Sequence, residues 1–379
     1  MTNTTLASIL GLGLALALAA CGDNAVANLV SVDGPPRMAT AVVVAGDFVA
    51  GHPGVLSTLD PIARTVMKNV GPAMAVGDDP ILRHIGNELF IINRADGNNI
   101  TIVNDQTLAL VEQLGTGPSS NPQDVAVVGS KLYIPTFGTA GVTVMTRGQI
   151  TATTIDLSAD DPDGKPNCES AISVGADIYV ACGLLDDTMP FFPPRGPGKV
   201  YVIDSATDKV RATLTLHNVN PFGAFEEIPV GAPGNGELLI PTVSFADGSG
   251  CVERIVPGPT PTAPACLISN AALGGYASRV SFQLDSTGWM LLASVPSSDF
   301  VHQDLRRYNL ASNTLQAAPV NPSAEVIGDA ETCPTGQLVV SDTTMNANGL
   351  RVYEGTVERT TAALPIGLRP TSTRGIVCY

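Results

Sequence analysis

Short apolar runs recur along the chain: Val42-Val43-Val44, Leu89-Phe90-Ile91, Leu132-Tyr133-Ile134, Ile178-Tyr179-Val180, Leu238-Leu239-Ile240, Met290-Leu291-Leu292 and Leu338-Val339-Val340. Successive runs are offset by 47, 43, 46, 60, 52 and 48 residues. Their length and their β-branched and aromatic content predict buried strands. A hairpin follows each run, most clearly at Lys199 to Leu216, where KVYVID and KVRATLTL flank the turn Ser205 to Asp208. The same hairpin recurs around Asn104-Asp105, Arg147-Gly148 and Glu354-Gly355. Before most runs lies a further strand introduced by proline, as at Asp79-Pro80-Ile81-Leu82 and Asn121-Pro122-Gln123-Asp124. A tight glycine turn leads from it into the run, so each unit reads as a four-stranded antiparallel meander.

Units of about 50 residues lie in the range of propeller blades. The expected fold class is therefore all-β, a seven-bladed β-propeller of four-stranded antiparallel blades. The first unit begins near Ala41 at its second strand, and the chain finishes with Thr373-Arg374-Gly375-Ile376-Val377-Cys378, which matches an inner strand. The C-terminal strand is thus expected to join blade one, closing the ring and removing an exposed edge. On this architecture Cys168 and Cys182 fall on the first two strands of one blade, and Cys251 and Cys266 on the last two of the next. Cys333 and Cys378 belong to the inner regions of blades seven and one, where a bond would staple the closure.

Val200-Tyr201-Val202-Ile203-Asp204 with Thr207 to Val210, and Asn121-Pro122 through Leu132-Tyr133-Ile134, carry a more specific pattern. It resembles that of the bacterial YVTN-repeat seven-bladed β-propellers. The likeness spans residues 40 to 379, is strong in two or three units, and reports fold far better than function.

The chain opens on an apolar stretch, Leu6 to Ala20, of a length that suits a secretory signal and falls short of a membrane span. It ends in Leu18-Ala19-Ala20-Cys21, which resembles the lipobox of bacterial lipoproteins, although Met1 to Thr5 carry no Lys or Arg. That resemblance implies cleavage before Cys21 and lipid attachment to its sulfur. The expected organisation is a signal peptide over 1–20, a lipidated tether over 21–38 and one propeller over 39–379. The expected address is the bacterial cell envelope, on the periplasmic or the surface side of the outer membrane, with lipid as the sole anchor. The six other cysteines fit this oxidising compartment, and no CxxC spacing points to zinc or redox chemistry.

Composition narrows the partners. Net charge is −15, which argues against nucleic acid or an anionic membrane surface as a ligand. No GxSxG elbow, HExxH or phosphate loop occurs, and His52, His84, His217 and His302 are scattered over different units. Insertions collect in the second-to-third and fourth-to-first connections: Ser158 to Pro166, Leu184 to Gly198, Asn218 to Pro229, Val243 to Gly250, Ala271 to Ser278 and Pro296 to Gln303. These connections share one face, and one-sided insertion marks a binding face. The expected function is a binding or scaffolding module whose protein or glycan partner meets that face.

Candidate ligand-binding residues there are Asp186, Asp187, Phe191 and Phe192 in the proline-stiffened insertion, with Asp79, Arg83, Asp329, Glu331 and Arg374 flanking inner strands. No cofactor is required by any motif, but Asp161, Asp163 and Glu169 form a candidate site for calcium or another divalent metal. The EF-hand spacing itself fails, because Ile172 stands where the bidentate glutamate is needed. An alternative function is a metal-dependent propeller hydrolase or lactonase with a carboxylate site in the central channel, using Asp79, Asp329 and Glu331.

Overall fold

A computed structural model describes residues 40–263, 266–283, 304–321 and 325–379, and the backbone of 289–295. The signal, the tether and Cys21 lie outside the described residues, as do the 296–303 insertion with His302 and the Trp289 side chain.

The strands fall into four-stranded antiparallel sheets. β1 (Ala41–Ala45), β2 (Val55–Asp60) and β3 (Thr65–Met67) come first, followed by β4 (Pro80–Ile85), β5 (Glu88–Asn93), β6 (Asn99–Asn104) and β7 (Leu110–Gly115). The next sheet holds β8 (Ala126–Val128), β9 (Lys131–Pro135), β10 (Gly141–Thr146) and β11 (Ala152–Asp156). The one after holds β12 (Cys168–Val174), β13 (Asp177–Cys182), β14 (Lys199–Asp204) and β15 (Lys209–Thr215). Then come β16 (Glu226–Glu227), β17 (Leu238–Pro241), β18 (Cys251–Ile255) and β19 (Ile268–Ser269). β20 (Tyr276–Phe282), β21 (Trp289–Val295), β22 (Asp304–Asn309) and β23 (Thr314–Leu315) form another sheet. β24 (Ile327–Thr332), β25 (Gln337–Asp342), β26 (Gly349–Glu354) and β27 (Val357–Glu358) form the last run, and β28 (Ile376–Cys378) ends the chain.

The expectation of a seven-bladed closed ring is corrected by this pairing. Six sheets are blades of four consecutive strands, and the remaining sheet is composite, in the order β28-β1-β2-β3. Six self-contained blades, not seven, are thus present, because β1 has no described strand before it to pair with. Its edge is covered by β28, through the pairs Ala41 with Cys378, Val42 with Val377 and Val43 with Ile376.

The apolar runs are continuous rather than alternating because both faces of each middle strand are covered. Val42, Val44 and Leu56 pack on Leu82, Leu89 and Ile91 of the next sheet, while Val43, Ala45 and Ile376 pack on Val339, Leu350 and Val352. Burying each such side chain contributes about 1.5–3 kcal/mol. The outer strands meet solvent, as the mostly exposed KVRATLT of β15 shows. Their hairpins share one device. Asp60, Asn104 and Asp204 accept hydrogen bonds from backbone N–H groups two residues on at 2.8–3.1 Å, and Arg64, Leu108 and Asp208 then take φ of 54–57°. The short oxygen-bearing side chain stabilises the turn that this left-handed residue completes.

Three disulfides join Cys168 to Cys182, Cys251 to Cys266 and Cys333 to Cys378. The last ties the β24–β25 turn to β28.

Candidate binding site at the mouth of the inner strands

Each inner strand carries a charged residue within it or just before it: Asp79 and Arg83, Asp124, Glu169, Glu226, Arg279, Asp329 and Glu331, and Arg374 before β28. Most are buried, and burying charge is tolerated only with partners. Asp124 is fully buried and receives Arg83 Nε and Nη2, both at 2.6 Å. It also accepts from Ser170 Oγ at 2.9 Å and the Ala171 N–H at 3.0 Å, bridging neighbouring sheets. Burial alone would push the Asp124 carboxyl up; the Arg83 guanidinium and these bonds outweigh it and hold the carboxyl below its usual range.

A second cluster surrounds Arg279. Its Nη1 and Nη2 bond Glu226 and Glu331, and its Nε faces Asp329 Oδ1 at 3.5 Å. Asp329 Oδ2 accepts the N–H groups of Gly375 and Ile376 at 2.8 and 3.0 Å, fastening β28. Burial pushes the Glu331 carboxyl up to about 7 despite Arg279.

Between the connections on the insertion-bearing side lies a cavity of about 340 Å³, bordered by Asp79, Arg94, Phe137, Glu169, Phe222 and Arg374 among others. Arg94 Nη2 donates to Asp79 Oδ1 at 2.5 Å. Arg374, 3% exposed and held at φ 51°, donates through Nη1 to the carbonyls of Gln123 and Glu169 at 2.9 and 3.1 Å. Burial lowers its guanidinium to about 10, which leaves it charged near neutrality. Burial raises Glu169 to about 7 against the pull of Arg374 and Arg94.

The insertion 184–198 stands beside this cavity. Phe192 meets the cavity-lining Phe137 edge-on, ring centroids 6.0 Å apart, and Phe191 is 89% exposed. Phe48, Met74 and Met345, also on second-to-third or fourth-to-first connections, are exposed as well.

The carboxylates expected to hold a metal are paired with cations of the chain. Arg195 Nη1 bonds both Asp161 and Asp163, and Arg195 Nη2 pairs with Asp186 at 2.8 Å. Asp187 accepts from Asn167 Nδ2 at 2.7 Å and from Lys165 Nζ at 3.2 Å. The acidic turn and the insertion are therefore knotted together by cations of the chain itself, while Glu169 belongs to the cavity. Among the described residues no group of three or more His, Cys, Asp or Glu is arranged to hold a metal. The carboxylates named for a channel metal are likewise committed elsewhere: Asp79 to Arg94, Asp329 to backbone amides, Glu331 to Arg279.

Sequence reasoning placed Asp79, Arg83, Asp329, Glu331 and Arg374 beside inner strands but passed over Arg94, Asp124, Phe137, Phe222, Glu226 and Arg279. A usable signal was present. A polar residue recurs near the start of each inner strand, where its side chain faces the other inner strands rather than the apolar space between sheets.

No family model and no curated protein matches the chain. Among solved structures it is similar to a proposed 6-phosphogluconolactonase from Bacteroides uniformis, with a TM-score of 0.61 and 10% identity over 90% of this chain and 100% of that one. It is also similar to the dihydro-heme d1 dehydrogenase NirN, with a TM-score of 0.55 and 13% identity over 92% and 76% of the two chains. AztD from Citrobacter koseri gives 0.52 and 12% over 90% and 97%. At such identities the likeness shows the fold alone, and what it shows is a β-propeller.

Proposed function

We propose that this protein is a lipid-anchored binding module of the bacterial cell envelope, a propeller of the YVTN-repeat kind that receives its ligand on the insertion-bearing face. The observation that carries this reading is the polar cavity on that face, walled by two phenylalanines and flanked by the insertion that carries exposed Phe191. Concave sites with aromatic walls and a few convergent polar groups are where small ligands bind, and solvent-facing aromatics offer contact area at low entropic cost. The signal-like Leu6 to Ala20, the Cys21 lipobox and three disulfides support the extracytoplasmic address.

Two measurements test it. Cys21→Ser protein is expected in the soluble fraction while the parent sediments with membranes; equal sedimentation would overturn the anchor. Native mass spectrometry of the soluble form against a library of oligosaccharides and small polar molecules is expected to find a ligand whose retention falls at least about tenfold in Phe137→Ala. Retention unchanged by that substitution would move binding away from this cavity.

A further inference from the structure

We infer that the cavity receives a small ligand bearing a single carboxylate, its anionic group seated on Arg374, Arg94 and Thr373, with Phe137 and Phe222 beside its apolar body; this rests on the binding-module reading. Three donors belonging to residues that line the cavity lack a partner, the buried atoms Arg374 Nε, Arg94 Nε and Thr373 Oγ1. Native structures rarely leave such groups unsatisfied, and a carboxylate, acceptor-only with two oxygens, is what guanidinium and hydroxyl donors complement.

Charge balance narrows the ligand to a monoanion. The Arg374 bonds go to neutral carbonyls. Its nearest carboxylate, Asp124 at 3.7 Å, is already occupied by Arg83 on both oxygens, and Asp79 answers Arg94. Among the residues lining the cavity, Arg94 and Arg374 thus face one paired carboxylate, Asp79, and the surplus is one positive charge when Glu169 carries its proton. Glu169 faces Arg374 from the segment before β28, Arg94 from the β5–β6 connection and the Gly223 amide from the segment before β16, and burial still raises it to about 7. Above that pH it ionises and cancels the surplus. Affinity for the anion therefore falls as pH rises through about 7, approaching tenfold per unit.

Calorimetric titration of the soluble Cys21→Ser protein with benzoate and glucuronate, against benzamide, glucose and inorganic phosphate, tests this at pH 6 and pH 8. At least one acid is expected to bind at pH 6 and to bind several-fold, up to about tenfold, more weakly at pH 8, its neutral counterpart failing to bind. Arg374→Gln is expected to abolish binding. Should that variant not fold, Arg94→Gln serves, and Glu169→Gln is expected to hold at pH 8 the affinity that the parent shows at pH 6. Neutral probes binding in the cavity as tightly as the acids would overturn the carboxylate assignment and leave the binding module standing. Phosphate binding more tightly than either acid would overturn the monoanion. Failure of every probe at millimolar concentration would overturn the inference, while the library screen on Phe137→Ala decides the binding module separately.

Discussion

Asp124 is fully buried and still ionised, because a bidentate guanidinium, a hydroxyl and a backbone amide replace the water it has lost. Removing it strands Arg83 in the interior. Asp124→Ala is expected to cost about 3–5 kcal/mol, read as a lower denaturant midpoint at unchanged slope; a loss under about 1 kcal/mol would mean that the pair adds nothing beyond a surface bridge. Glu169 acts in the opposite direction. Unfolded, its carboxyl loses its proton near 4.5, whereas the folded chain keeps it to about 7. Between those values the native state holds the extra proton, so stability is greatest below the window and declines as pH rises through it, by about 3 kcal/mol at most. Glu331, also raised to about 7, contributes in the same sense. Glu169→Gln is therefore expected to reduce the decline, by about 3 kcal/mol at most, in urea unfolding followed from pH 4.5 to 8; an unchanged slope would refute the assignment. These residues were only partly legible in sequence, because an aspartate before a strand reads the same whether its side chain faces solvent or an arginine 41 positions away.

Strands were the most legible elements. Runs such as Leu132-Tyr133-Ile134 announce burial on both faces, and Asp204 with Asp208 announces the turn that follows. The short inner strand Glu226–Glu227 was harder, since two residues carry no period. The disulfides work at this scale as well, because each closes a loop of known length. On chain entropy the 45-residue separation of Cys333 and Cys378 is worth about 4 kcal/mol, and the 14-residue separation of Cys168 and Cys182 about 3 kcal/mol. Double alanine replacement of the first pair is expected to lower the denaturant midpoint more than replacement of the second. The reverse order would show that β28 is held chiefly by the Asp329 bonds to Gly375 and Ile376.

At the scale of the whole molecule the sheets depend on one another, and the composite sheet depends on the chain's last residues. Deleting 373–379 removes β28, Arg374 and the Asp329 latch together, and exposes the edge of β1. Light scattering after size exclusion is expected to show aggregates where the parent shows one species; a monodisperse product with unchanged melting would deny β28 its sealing role. The sequence by itself determined the local terms: which segments are strands, where they turn, which cysteines lie near each other on adjoining strands, and that the C-terminal segment has an inner strand's character. Those follow from periodicity and turn chemistry, which act over a few residues. Only the tertiary structure decided that six blades, not seven, are self-contained, that Arg195 occupies the acidic turn, and that Arg94, Glu169, Phe137 and Arg374 line one cavity. These depend on which side chains from distant sheets meet, and a buried charge is settled by its partners rather than by its neighbours in sequence.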